Sequence, residues 1–420
     1  MENQKNTSSN FGSKGWLMIV IAGIFFYFYS GMCTDGLNTI VSSFAQTHNV
    51  DEAALLGITT PASWFGLLGA VVWSFFIDRK SIRLGALCTG ILGGVSFMLY
   101  ALVSTVTGFG IVTAFVNFMG MGYCWTVANA LMASWFPKKK GLALGWATMG
   151  QNLASATFVP LLMFFVAKTN FFNSFYIMGA ILALGGIIAF ILIRDNPEEL
   201  GCAPDNGSFT KEEIEASLKE AREYKSPWTP KKLLTNKQVW QIGIGYGILI
   251  IVTVSLISRM IPRLIMAGWE PPKAIASMSV CAIIGLFGSY LTGWLDQKFG
   301  TKKASVMYAL WYFVGLVLCA IPTNNEIVLY LTIFFTGIGI GGIGNLFPSM
   351  TATVFGRFDF VRAMGILNPI TNIVRSFAFI ILAFSLKQTG AYNLSYGIIA
   401  ALDLFAILLI LRIDDNCIGK

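Results

Sequence analysis

Apolar residues recur along the chain in long stretches from Gly15 to Leu411, separated by short polar segments. A helix that crosses a bilayer needs about 20 largely apolar residues. Stretches of that kind fall at 15–43, 54–77, 84–104, 108–134, 141–167, 172–193, 238–262, 274–295, 304–322, 327–355, 362–386 and 392–412. The pattern predicts an all-α membrane protein with twelve spans. Composition agrees: 55% of the 420 residues are hydrophobic and 12% are charged, about half the charge of a typical soluble domain.

The basic residues give this pattern a direction, because cytoplasmic loops retain lysine and arginine. Of the 29, 23 lie in the two tails and alternate loops, and only Lys168, Arg263, Lys273 and Lys387 lie in the others. Both termini are therefore expected in the cytoplasm, in a multi-pass protein of the cytoplasmic membrane. The formal charge of +8 is mostly this topology signal, so no nucleic-acid partner is expected. The expected organisation is a cytoplasmic tail at 1–14, a six-helix bundle at 15–193, a cytoplasmic linker at 194–237, a second bundle at 238–412 and a short cytoplasmic end at 413–420. The tail lacks a small-residue cleavage site, so the first span reads as an uncleaved anchor. In the linker, Thr210 and Glu213 form a capping box that opens an amphipathic helix running to Tyr224. Seven scattered cysteines support neither a disulfide framework nor a zinc site, and His48, the one histidine, reads as a solvated loop residue.

The two halves repeat each other. WFGLLGAVVWSFFIDRKSIRLG (64–85) has a counterpart in IIGLFGSYLTGWLDQKFGTKK (283–303), so that Gly66, Gly69 and Asp78 recur as Gly285, Gly288 and Asp296. Likewise SWFPKKKGLALG (134–145) matches TVFGRFDFVRAMG (353–365). A duplicated six-helix unit is how one large class of secondary transporters is built, with substrate held at mid-membrane between the halves.

Asp78-Arg79-Lys80 after a glycine-rich helix, with Arg83 and Gly85 following, resembles the loop signature of the major facilitator superfamily. Asp296, with Gly300, Lys302 and Lys303, is its second copy. The first copy has Ser81-Ile82 where glycine and a basic residue are usual, and the second has Gln297 in place of arginine. The resemblance implies the major facilitator fold and makes Asp78, Arg79 and Asp296 gate residues of the cytoplasmic side. Trp135-Phe136-Pro137 before the lysines, with Asp195-Asn196-Pro197 leading to Gly201-Cys202-Ala203-Pro204-Asp205, is similar to the oxalate:formate antiporter and monocarboxylate transporter group. That resemblance implies a small organic anion as substrate. The group's basic residue in the eighth span has no match between Ala274 and Leu295, whereas its cation in the eleventh span is matched by Arg375.

Arg375 lies 12 residues beyond Ala363, roughly 18 Å into its helix and near the middle of a core about 30 Å thick. A cation there costs about 2.5–3.5 kcal/mol on insertion scales, so it requires a reason. Asn368, Asn372 and Arg375 share a helical face, and a guanidinium can grip a carboxylate through two parallel hydrogen bonds. Asp403 lies at a similar depth in the twelfth span. The sequence leaves three readings open: Arg375 faces the substrate, it pairs structurally with Asp403, or Asp403 is a proton-coupling carboxylate whose pairing with Arg375 changes during transport.

Asp35 and Arg259 lie equally far along the first span of each half, which makes them candidates for a gate at the outer mouth. Polar and aromatic residues of the inner spans add further candidates for the substrate site: Tyr27, Asn38, Tyr123, Gln151, Asn152 and Asn345. No metal cluster, paired nucleophile and base or cofactor loop appears, so neither an enzyme nor a bound cofactor is expected. The expectation is a monomeric transporter working by alternating access. Its cargo is a small organic anion, a monocarboxylate that could be bulky or aromatic, moved with a proton or against a counter-anion. The alternative is a proton-coupled exporter of amphipathic or cationic compounds.

Overall fold

A computed structural model describes residues 10–419. Among the described residues, eleven helical segments are long and apolar enough to cross a membrane. One of them, Glu326–Thr389, has 64 residues, roughly 96 Å at 1.5 Å per residue, or three times the thickness of a bilayer core. It turns back at Gly356, whose φ of 73° is open to glycine at little cost. Each arm makes its own contacts, so this segment accounts for two of the twelve expected spans.

The spans are α1 (Gly12–Thr34), α2 (Glu52–Arg79), α3 (Ile82–Leu102), α4 (Val106–Trp135), α5 (Lys140–Lys168) and α6 (Phe171–Leu192) in the first half. The second half has α7 (Lys237–Ser258), α8 (Pro271–Phe299), α9 (Thr301–Ala320), α10 and α11 (the arms of Glu326–Thr389 before and after Gly356) and α12 (Asn393–Leu411). Capping residues set many of the starts. The side chains of Asp51, Ser81, Thr105, Asn170 and Asn325 accept the free backbone N–H groups that open α2, α3, α4, α6 and α10. The helix α1 runs on through a wide turn at Ser30–Thr34 into Asp35–His48. His48 ends that extension and packs on Phe44 at 4.4 Å between ring centroids, so it is half-buried and not the solvated loop residue expected.

Packing reproduces the duplication. In the first half α1 lies on α5, α2 on α4 and α3 on α6; in the second, α7 lies on α11, α8 on α10 and α9 on α12. The halves meet where α5 packs on α8 and α2 on α11. Water provides no drive for helices to associate inside lipid, so close backbone approach at small residues carries much of this packing. A Cβ on Gly90 would come 2.5 Å from the Cα of Gly186, and one on Gly288 would come 2.1 Å from the carbonyl oxygen of Ile338.

The described N-terminal end meets the linker, and the C-terminal end meets the adjoining ends of α7 and α10. Lys14 donates to the Leu200 carbonyl, Gln238 to the Asp414 carbonyl, and the Ile418 N–H to Val354. The linker helix Lys211–Glu223 has the expected capping box, with Glu213 N–H donating to Thr210 and Thr210 N–H to Glu213. The two segments that carried the subfamily resemblance dock on each other here. Trp135 Nε1 donates to the Arg194 carbonyl at 2.8 Å, and the Lys139 N–H donates to the Asp205 carboxylate at 2.7 Å.

Candidate functional site

The hydrogen bonds and ion pairs joining the halves run from mid-depth to the linker face. Asn152 of α5 donates to the Gly285 carbonyl at 3.1 Å and to Ser289 Oγ at 2.8 Å on α8. Asn345 of α10 accepts from Thr148 of α5 and donates to the Ser289 carbonyl at 2.8 Å. Both amides, expected as substrate contacts, are buried and bonded into this seam. Gln151, one residue from Asn152, is half-buried and faces Gly344 of α10.

Nearer the linker face the contacts become ionic. Arg362, at the start of α11, grips Asp78 at the end of α2 with an N···O distance of 2.5 Å, and also donates to the Trp228 carbonyl of the linker. Arg357 places Nη1 2.9 Å and Nη2 3.0 Å from the two oxygens of Glu198 in the linker. Burial works to raise the Glu198 carboxyl, but the Arg357 guanidinium outweighs it and holds the group below the usual range. Tyr224 donates to Asp359. Asp195 accepts the Ile82 and Arg83 N–H groups at the start of α3, and its burial pushes the carboxyl up against those bonds. Asp296 accepts from Thr301 at 2.7 Å and lies against Gly141, while Arg79 is exposed. The motif thus does hold the halves together through Asp78. Its partner Arg362 was not singled out from the sequence, nor were Arg357 and Glu198.

Arg375 lies in α11. It is half-buried, its Nη1 donates to Asn372 Oδ1 at 3.3 Å, and Asn372 in turn donates to the Asn368 carbonyl at 2.8 Å. The predicted polar face therefore forms as one chain of bonds. Among the described residues Arg375 has no carboxylate within ion-pair distance. It acts electrostatically on Tyr29 of α1, in the other half, whose ring stands edge-on to Trp125 of α4 at 6.1 Å. Tyr27 is turned instead toward Thr157 of α5, whose hydroxyl donates to it at 3.2 Å. Two residues on a helix differ by about 200° in direction, which is why Tyr27 and Tyr29 point to different neighbours. Tyr123 is buried inside the first half, 3.8 Å from Cys33. Asn368 is buried, with an unpartnered Nδ2.

Asp403 does not meet Arg375. It is 0% exposed and turned into the second half, where it acts on Tyr308 and Tyr312 of α9. Equal depth in the sequence did not mean adjacency, because α12 packs mainly on α9 and α7. Arg259 is half-buried with its guanidinium 5.7 Å from the Tyr392 ring. The side chains of its expected partner Asp35 and of Asn38 lie outside the described residues.

Similarity to known proteins matches this architecture. A family description of the Major Facilitator Superfamily fits residues 20–378. The chain belongs to that superfamily. It is a multi-pass membrane transporter and not an enzyme. Monocarboxylate transporter 12 of Mus musculus is 21% identical over 409 residues, covering 91% of this chain and 82% of that one. The Gentisate transporter of Corynebacterium glutamicum is 23% identical over 419 residues, covering 95% and 88%. Among solved structures, the superfamily proton:xylose symporter XylE superposes with a TM-score of 0.71 over 95% of each chain at 16% identity, a likeness of fold.

Proposed function

We propose that this superfamily member carries a small organic anion, a monocarboxylate, across the cytoplasmic membrane by alternating access, with the linker face in the cytoplasm. The observation that carries the reading is Arg375: a guanidinium within a membrane span with, among the described residues, no carboxylate within ion-pair distance, oriented by Asn372 and within electrostatic reach of Tyr29, which stands edge-on to Trp125 in the opposite half. A carboxylate docking there would neutralise the cation and take two parallel hydrogen bonds from it. Tyr29 and Trp125 supply an apolar wall that suits an aromatic or bulky acid. The monocarboxylate and gentisate relatives are consistent with this cargo. The basic face supports the cytoplasmic orientation, with both ends of the chain on that side. The exporter alternative needs Asp35 or Asp403 open to the space between the halves; Asp403 is 0% exposed, so that reading is left to Asp35.

The test is thermal stabilisation of the purified protein by mono- and dicarboxylates, including gentisate, in wild type and Arg375→Ala. A carboxylate that raises the melting temperature of wild type alone, with the variant folded, supports the reading. Equal stabilisation of both, or none by any acid, overturns it.

A further inference from the structure

Among the described residues, Asp403 is the one acidic group with both carboxyl oxygens buried and unpartnered. It lies in the middle of α12, 0% exposed, and neither carboxyl oxygen has a hydrogen-bond partner. An ionised carboxylate without partners inside a bundle costs several kcal/mol, and a protonated one avoids that cost. Among the described residues no basic group lies within ion-pair distance of it. Tyr308 and Tyr312 of α9 are within its electrostatic reach; Arg259, just beyond the end of α7, lies against Tyr392, and Arg375, mid-way along α11, is bonded to Asn372.

The two tyrosines connect Asp403 to the one break in α10. Tyr308 OH donates to the Gly339 carbonyl at 2.9 Å and shares a 3.4 Å contact with Thr253. The Tyr312 hydroxyl is near those of Thr253 and Tyr308 without closing a bond to either. Their rings fill the places where side chains would stand on Gly339 and Gly342: a Cβ at Gly339 would come 2.0 Å from the Tyr312 ring and one at Gly342 2.2 Å from that of Tyr308. Between those glycines α10 stops at Ile340 and restarts at Ile343, and Asn345 beyond the break is bonded across the seam to Thr148.

We propose that Asp403 is a proton-binding site of the transport cycle. It holds one proton while the linker face is closed and releases it when the break in α10 rearranges and admits water, the tyrosines passing its charge state to the break. The step is proton dissociation alone, from carboxyl to carboxylate. It deepens the transporter reading by naming a coupling site, and it rests on that reading only for the transport measurement.

Two measurements on the full-length protein separate the ideas. Infrared difference spectra of lipid-reconstituted wild type, taken between about pH 6 and about pH 9, should contain a protonated-carboxyl band that Asp403→Asn lacks; identical spectra overturn the proposal whatever the substrate is. In proteoliposomes with gentisate or another carboxylate found to stabilise the protein, Asp403→Asn should keep exchange and lose accumulation driven by a proton gradient. Gradient-driven accumulation at the wild-type level overturns the proposal. Tyr312→Phe, which leaves the carboxyl in place, should shift the pH midpoint of the band or of accumulation; if both stay put, the tyrosine link is wrong. Should no carboxylate be transported, the cargo reading fails and the infrared band still decides the proton site.

Discussion

Arg357 of the turn between α10 and α11 holds Glu198 of the linker in a two-pronged grip, both oxygens within 3.0 Å, with Ser217 donating to the same carboxylate at 2.6 Å. The Glu198 side chain is 0% exposed and that of Arg357 11%, so the pair is sheltered from water. Removing one partner of such a pair leaves a buried charge, at a cost of about 3 kcal/mol. Arg357→Gln should therefore lower the melting temperature and loosen the closed face, whereas Arg357→Gln with Glu198→Gln should recover part of the loss. A double-mutant cycle by thermal unfolding checks this; additive effects would deny the coupling.

The same pair predicts a pH dependence. The Glu198 carboxyl is held below its ordinary range when the face is closed. Its contribution is then complete above the unfolded value, about pH 4.3, and disappears as the pH falls through the lower, folded value. The stability gap between wild type and Glu198→Gln should be constant near neutrality and shrink only below about pH 4. Melting curves across that range test it, and a gap that closes above pH 5 would contradict the assignment.

Asp78 and Arg362 bridge the halves where α2 meets α11. Asp78→Asn should shift the population away from the closed linker face and reduce transport. The charge exchange Asp78→Arg with Arg362→Asp should restore more transport than either single change allows. Accessibility of a cysteine introduced at the seam reports the shift directly; equal labelling of wild type and Asp78→Asn would count against a gate.

For the proposed anion site, Arg375→Lys keeps the charge and loses the planar fork. One charge-assisted hydrogen bond is worth about 1.5–3 kcal/mol, so carboxylate affinity should fall by about ten- to a hundredfold and not vanish. Titration calorimetry with a stabilising acid measures this, and unchanged affinity would place the acid elsewhere.

Packing gives a contrast independent of transport. Gly288→Ala drives a methyl group into the Ile338 carbonyl, whereas nothing lies within 4 Å of a Cβ at Gly397. The first should destabilise by about 1–3 kcal/mol and the second should be neutral or gain less than about 1 kcal/mol. Thermal unfolding of both variants compares them.

Much of the architecture was legible because it is written along the chain. Apolar runs of membrane length, the recurrence of Gly66, Gly69 and Asp78 at Gly285, Gly288 and Asp296, and the Thr210 capping box depend on spacing alone. The polar chain through Asn368, Asn372 and Arg375 was legible for the same reason, being a matter of helical period. What spacing does not encode is how each helix is rotated about its axis and which neighbour it meets. Hence Tyr27, a candidate for the substrate site, is bonded to Thr157, and of the readings left open for Asp403 those that pair it with Arg375 do not match a carboxyl with no hydrogen-bond partner. Asn152 and Asn345 looked like ligand-binding amides because their bonds across the seam exist only once the halves assemble. Arg357 and Arg362 were counted as topology charges, and only the fold brings Glu198 and Asp78 to them.

At Gly141, Gly145 and Gly293 the contact between α5 and α8 is bare backbone: a Cβ on Gly293 would lie 2.5 Å from the Gly141 carbonyl oxygen and 2.9 Å from the Cα of Gly145. A stretch this smooth has no interlocking knobs, so a relative shift of the two helices there would force no side chain from its rotamer. Resistance to such a shift would then come from the side-chain contacts beside it, Asn152 on Ser289 and Trp146 on Tyr290.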